Sequence, residues 1–409
     1  MRRSAVNMSP ARLRGALRKI TEVLAGELSH ESHTVPHWSE REWLLAQAVA
    51  AMHGISPLLS RRLRWRGPSG WVEFLDAQRT HTERRHIRIL ELLQNLDEAL
   101  RAKAIGAVAL KGVALHRIGL YQPGERPMAD VDLLVHPKDS QRTARLIESL
   151  GFHESLRSWR ERVFTPNQSG AAAELGEHAG NAVKIELHER ICERLPLRLA
   201  EVSEAVLPGT MRPGLNDYPS TAALMTHLLL HASGSIAYQS LRLLHLHDLA
   251  LLSARMSAQD WEALMRLQAP GRSMHWAWPP LAMTGRYYAL QAPEDVLKAL
   301  RGSCPRLLRE VSRRRRVSDV SYSYPRVDAF PGIEWSRSLP EMAAFILSRV
   351  RPSREHVALR ETTSLTQAWA AGARWSSLSQ VHRIARWIVA RPVRPATLHA
   401  VKAALAQMQ

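Results

Sequence analysis

The chain has 409 residues, 45% of them hydrophobic, and its 56 Lys and Arg against 38 Asp and Glu give a formal net charge of +18. That length holds two or three domains with a substantial core, and no apolar run reaches the ~18 residues that span a bilayer. The two cysteines, Cys192 and Cys304, lie far apart, which argues against a disulfide scaffold or a thiolate metal site and fits a reducing cytoplasm.

The positive charge has two readings of equal weight. It suits polyanionic partners such as nucleotides, nucleic acid or an acidic surface. It is equally what a compositional preference for arginine, spread along the chain, produces. The basic N-terminus has no apolar run behind it and does not read as a secretory signal.

Residues 1–104 read as a helical region. Ser9-Pro10 predicts a cap followed by proline at the first helical position, with Leu13, Leu17, Ile20 and Leu24 at helical spacing. Ser39-Glu40-Arg41-Glu42 is a capping-box sequence. From Trp71 onward a further helix places Ile87, Leu90, Leu93, Leu96 and Leu100 on one expected face.

The stretch from Ala107 to Val135 carries the chemistry. Ala107–Leu110 predicts a short strand, Lys111-Gly112 a turn, Val113–Leu120 a helix, and Met128–Val135 a buried strand. Asp130 and Asp132 sit in that second strand, two residues apart, so both point to one face. Two carboxylates side by side among Val131, Leu133, Leu134 and Val135 repel each other unless a cation joins them. A divalent metal, Mg²⁺ by preference for carboxylate and phosphate oxygens, is the economical explanation.

Further on, Asp139-Ser140 predicts a helix start, and Phe152–Phe164 and Asn181–Arg190 predict two strands. In Lys184-Ile185-Glu186-Leu187-His188, Glu186 and His188 share one face and the apolar residues share the other. From Glu193 the pattern turns helical. Ser220 caps a helix with His227 and His231 at i and i+4, a zinc-compatible spacing that lacks the glutamate of a zinc peptidase and reads as core or interface. Arg242–Leu252 is an apolar helix carrying His245, His247 and Asp248, where a buried acid calls for a partner, Arg242 or a histidine. The last stretch is basic, with Trp369, Trp375 and Trp387 among arginines, and reads as a packed face with a solvated one.

The segments Leu110-Lys111-Gly112-x-Ala114-Leu115 and Arg126-x-x-x-Asp130-x-Asp132-Leu133-Leu134-Val135 resemble the uncharacterised bacterial nucleotidyltransferase-like family of the DNA polymerase beta superfamily. The resemblance runs from about residue 40 to about residue 300 and takes in Glu186-Leu187-His188 and Leu244 to Asp248. It implies an α/β (α+β) fold: a small mixed-sheet nucleotidyltransferase core at 105–195, a helical region at 196–300 closing the cleft, and a basic helical region at 301–409. In most of that superfamily the turn is Gly-Ser, and Lys-Gly is a departure.

The implied activity is transfer of a nucleoside monophosphate from a nucleoside triphosphate to an acceptor: small molecule, peptide or protein. Asp130, Asp132 and Glu186 would hold two Mg²⁺ and carry catalysis. Lys111, Gly112 and Arg126 would bind the nucleotide, with Lys111 otherwise a solvated strand-end lysine and Arg126 otherwise a counter-ion for the aspartates. His188 would orient Glu186 or touch substrate. Asp248 is either structural or orients a substrate-binding group. Three alternatives stand beside this: an RNA- or tRNA-directed toxin-type transferase, a phosphoryl-transferring variant, and a non-catalytic scaffold. A cytoplasmic location is expected.

Overall fold

The computed structural model describes residues 8–168, 175–196, 198–267, 273–326, 328, 330–352, 382, 384–385 and 394–406. Trp369, Trp375 and Trp387 lie outside them. The architecture is a six-stranded mixed sheet embedded in helices.

The N-terminal part is helical because its apolar residues recur with helical period and its starts are capped. Helices α1 (Pro10–Ser29), α2 (Glu40–Met52) and α3 (Ser56–Arg62) precede the long α4 (Ser69–Ala102). Ser9 accepts from the backbone N–H of Arg12, and Ser39 and Glu42 close a full capping box. The expected face of α4 is only partly right. Leu96 and Leu100 are buried, but Ile87 and Leu90 are exposed, and the buried stripe runs through Trp71, Leu75, Arg85 and Ile89 instead. Arg85 is buried because its guanidinium donates to the carbonyl of Met128 (2.9 Å) and pairs with Glu177 (3.3 Å), which ties α4 to the start of the aspartate strand.

Strand β1 (Gly106–Ala109) leads into the short α5 (Lys111–Arg117), then β2 (Asp130–Val135) and α6 (Ser140–Ser149). The region predicted as one strand from Phe152 is a hairpin, β3 (Phe152–Arg157) and β4 (Arg162–Pro166), and β5 (Lys184–His188) follows. The chain after Glu193 is not simply helical. It forms β6 (Cys192–Leu195) and β7 (Arg198–Glu201), the one-turn α7 (Ser203–Val206), and β8 (Gly214–Asn216) before the long helices resume. These strands are three or four residues long, too short for a period to show in the sequence.

The sheet order is β3-β4-β5-β2-β1-β8. β2 runs parallel to β5 and antiparallel to β1, and β8 runs parallel to β1. One face of β2, with Val131, Leu133 and Val135, joins Ile185 and Leu187 of β5 in a core under α4 and α6. The other face carries Asp130, Asp132, Glu186 and His188. Against it lie α8 (Thr221–Ala237) and α9 (Leu243–Ser253), which share a larger core with α1, α2, α3 and α11 (Trp278–Tyr287). Helices α10 (Ala258–Arg266), α12 (Glu294–Ser303), α13 (Arg306–Arg314), α14 (Leu339–Val350) and α15 (Pro395–Ala406) complete the described elements. Among the described residues no single helix is long and apolar enough to cross a membrane.

Candidate active site

Strand period and strand pairing together build the acidic corner. Asp132 and Glu186 are register partners on the adjacent parallel strands β2 and β5, and Asp130 is two residues before Asp132 on the same face. A ligand atom from each of Asp132, Glu186 and His188 lies within 4.8 Å of the others.

The cation beside this corner is Lys111. Its Nζ donates to Asp132 Oδ1 at 2.6 Å, and its side chain is largely buried. Lys111 is therefore not a solvated strand-end lysine. Its backbone takes a positive φ of 44°, a costly conformation for a residue with a side chain, and its N–H donates to the hydroxyl of Tyr218 (3.2 Å). The next-strand tie is Leu110 N–H to the Asp132 carbonyl (2.9 Å). Helix α5 is only two turns long, so side chains rather than a helix dipole set the charge here.

His188 orients Asp132 rather than Glu186. Its Nε2 lies 3.1 Å from Asp132 Oδ1 and 3.9 Å from Glu186 Oε2. A carboxylate oxygen only accepts, so Nε2 is the donor. Asp132 Oδ1 thus takes two donors.

Protonation follows from this imbalance. Burial raises the Asp132 carboxyl, but Lys111 and the His188 hydrogen bond outweigh it and hold it well below the ordinary range. Asp130 is raised, by burial and then by Asp132. Glu186 is raised well above the ordinary range, by burial and then by Asp130, Asp132 and Glu161. Burial lowers the Lys111 pKa, yet Asp132, Glu186 and Asp130 more than reverse that, so it stays charged. All three carboxylates act on the Lys111 ammonium, with Arg242 and Arg126 acting on Asp130 and Arg160 facing Glu186 and Asp132 from further off. Clustered oxygen donors with surplus negative charge fit a hard divalent cation such as Mg²⁺.

Arg126 makes its side-chain ion pair with Asp248 rather than with Asp130 or Asp132. It forms a bidentate pair with Asp248: Nε to Oδ1 and Nη2 to Oδ2, both 2.9 Å. Tyr121 donates to the same carboxylate (2.7 Å). The partner of Asp248 is thus Arg126, not Arg242 or a histidine. Gly112 makes room for this arrangement, because a Cβ there would sit 2.5 Å from Arg126 Nη1 and 2.9 Å from Met128 Cγ.

A cleft of about 300 Å³ joins these groups, with Lys111, Gly112 and Arg126 along one side of the three acids. Sequence reasoning missed much of its remaining wall. Arg160, at the tip of the β3–β4 hairpin, pairs with Glu193 (2.9 Å) and Glu161 (3.2 Å). Arg242 is exposed at the start of α9 and faces the same cleft. His231 and His245 line it as well, their ring centroids 4.9 Å apart. Burial first, with nearby cations or other histidines adding to it, lowers both histidines well below the ordinary value, so they stay neutral. His227 Nδ1 hydrogen-bonds with the Tyr218 hydroxyl (2.7 Å). No local pattern marked Arg160, which needed the hairpin, but the polar residues of the α9 sequence were a signal.

The mixed sheet and its flanking helices are consistent with an α/β nucleotidyltransferase core. The chain belongs to the family described as uncharacterised nucleotidyltransferase, whose model matches residues 39–286. No curated protein and no solved structure matches it.

Proposed function

We propose that the protein transfers a nucleoside monophosphate from a nucleoside triphosphate to a hydroxyl-bearing acceptor, with Mg²⁺ held by Asp130, Asp132 and Glu186. The observation that carries this reading is the register of Asp132 against Glu186, with Asp130 on the same face, beside a cleft edged by Lys111 and Arg126. Bound Mg²⁺ would supply Lewis-acid stabilisation of charge on the phosphate oxygens and would favour the acceptor alkoxide.

The chain's own groups do the rest. Lys111 and Arg126 edge the cleft where the triphosphate would lie, Arg126 in a geometry held by Asp248 and Tyr121. His188 and Lys111 hold Asp132 ionised and aimed, leaving its second oxygen for the metal. The acceptor oxygen bonds to the α-phosphorus, and the bond from that phosphorus to its bridging oxygen breaks. Pyrophosphate leaves with the electron pair, and the hydroxyl proton passes to Glu186, the carboxylate on the neighbouring strand.

The test uses nucleoside triphosphates labelled on the α- or the γ-phosphate, Mg²⁺, and cell extract as acceptor source. Label from the α-position alone, lost in Asp130→Ala and Asp132→Ala, is the expected result. Label from the γ-position alone means phosphoryl transfer. The net charge of +18 favours one second reading, an RNA acceptor. It requires the protein to retain RNA on a column, with retention falling steeply as salt rises.

A further inference from the structure

We infer that the acceptor is a small alcohol carrying a planar ring, and that it binds in a second cavity continuous with the cleft. This rests on the transfer reaction proposed above. The second cavity has a volume of about 360 Å³. Arg160, Glu161, His231, Ser235 and Ser240 line both spaces. Lys111, Gly112 and Arg126 line only the first, and Trp159, Tyr238 and Leu156 only the second. The acids line the first space with Lys111 and Arg126, and the adjoining space adds the aromatic residues Trp159 and Tyr238.

The chemistry of the adjoining space selects its occupant. Trp159 carries the Arg194 guanidinium 5.1 Å from its ring centroid, a polarised platform of the kind planar rings stack beside. Tyr238 lines the same space, its ring half exposed and its hydroxyl donating to the Arg194 carbonyl (3.1 Å). The charges of Arg160 are already met by Glu193 and Glu161, so the wall has little net charge to recruit an ionic ligand. Gly234 lets the Glu193 carboxylate lie close, because a Cβ there would sit 2.6 Å from it. Ser235 and Ser240 line both spaces, with the Ser240 hydroxyl donating to the Ser235 carbonyl (3.4 Å), and give the junction a polar edge. The volume holds one ring system with its substituents, within the range of small-molecule sites. Seated there, the acceptor presents its hydroxyl to the α-phosphorus. Its oxygen displaces pyrophosphate, and its proton goes to Glu186.

The experiment measures transfer of α-labelled nucleotide, with Mg²⁺, to a panel of ring-bearing alcohols (nucleosides and phenolic amino alcohols) and to ring-free glycerol and serine. Nucleotide affinity is measured separately by titration. The expected result is transfer to ring-bearing members over ring-free ones. Trp159→Ala should raise the acceptor KM by about tenfold or more, with nucleotide affinity kept within about twofold and Trp159→Phe restoring most of the loss. Tyr238→Ala gives an independent second reading of the same wall. Equal transfer to glycerol, an unchanged acceptor KM in both alanine variants, label entering RNA instead of the panel, or no transfer from a protein that binds nucleotide would each overturn the inference while sparing the nucleotide site. A wild-type protein that binds no nucleotide would overturn the reading beneath it.

Discussion

Two buried cation–carboxylate pairs each present a cation to the same cleft and differ in one respect. Arg126 and Asp248 form a closed unit: two hydrogen bonds, one charge of each sign, and Tyr121 filling a further acceptor position. Lys111 and Asp132 form an open one, because Asp130 and Glu186 crowd the same ammonium. A balanced buried pair fixes geometry, and a deficient one is a site awaiting charge. The difference teaches that surplus of one sign, rather than burial of charge as such, marks where a cation and a phosphate chain belong.

Breaking the open pair should cost activity, and breaking the closed one should cost stability. The largest effect is expected from Asp132→Asn, which keeps the shape but removes the charge held by Lys111 and His188. Transfer should fall on the order of 10³-fold or more, since metal stabilisation amounts to several kcal/mol. Single-turnover assays with α-labelled nucleotide check it, and an unchanged melting temperature would confirm that the loss is chemical.

Asp248→Ala should behave differently. It leaves the Arg126 guanidinium buried without its partner, so unfolding free energy should drop by ~3–5 kcal/mol in urea titrations. Little loss of stability would show that Arg126 escapes to solvent and that the pair does not lock the cleft. Gly112→Ala sharpens the same comparison at lower cost. Its Cβ would press on Arg126 Nη1 and on Met128, with Arg126 pinned by Asp248, giving about 1–3 kcal/mol of destabilisation and a weaker nucleotide affinity. A double substitution with Asp248→Ala should then be less than additive.

The smallest effect concerns pH. Asp130 and Glu186 have folded pKa values raised above the ordinary ones. Their protonated forms favour the fold below the ordinary carboxylate range, and this contribution is lost as pH rises through the raised values. Without metal, stability from this corner should therefore decline between those limits. Mg²⁺ binds the deprotonated forms, so its gain in melting temperature should be larger at pH 8 than at pH 5. Calorimetry at both pH values, with and without Mg²⁺, checks the sign. An equal gain at both would mean that the metal does not displace protons from these carboxylates.

Local patterns were readable wherever the physics is local. Period two put Asp130 with Asp132 and Glu186 with His188 before any fold was known, because alternation is built into the extended backbone. The caps at Ser9, Ser39 and Ser220 were equally direct, since a hydroxyl three residues before an orphan N–H needs no tertiary partner. The face of α4 was read wrongly at Ile87 and Leu90 because the neighbours that bury a stripe come from elsewhere in the chain.

The sequence by itself determined the acidic strand, the Lys-Gly turn, the helical flanks and the family. Only the tertiary structure decided which charges meet: Asp132 against Glu186 across a strand register, Lys111 and His188 on one carboxylate oxygen, Arg126 with Asp248 across 122 residues. It also brought Arg160 and Trp159 from a hairpin into the wall of the adjoining cavity. The physical reason is that alternation and capping depend on neighbours along the chain, whereas ion pairing and cavity walls depend on neighbours in space.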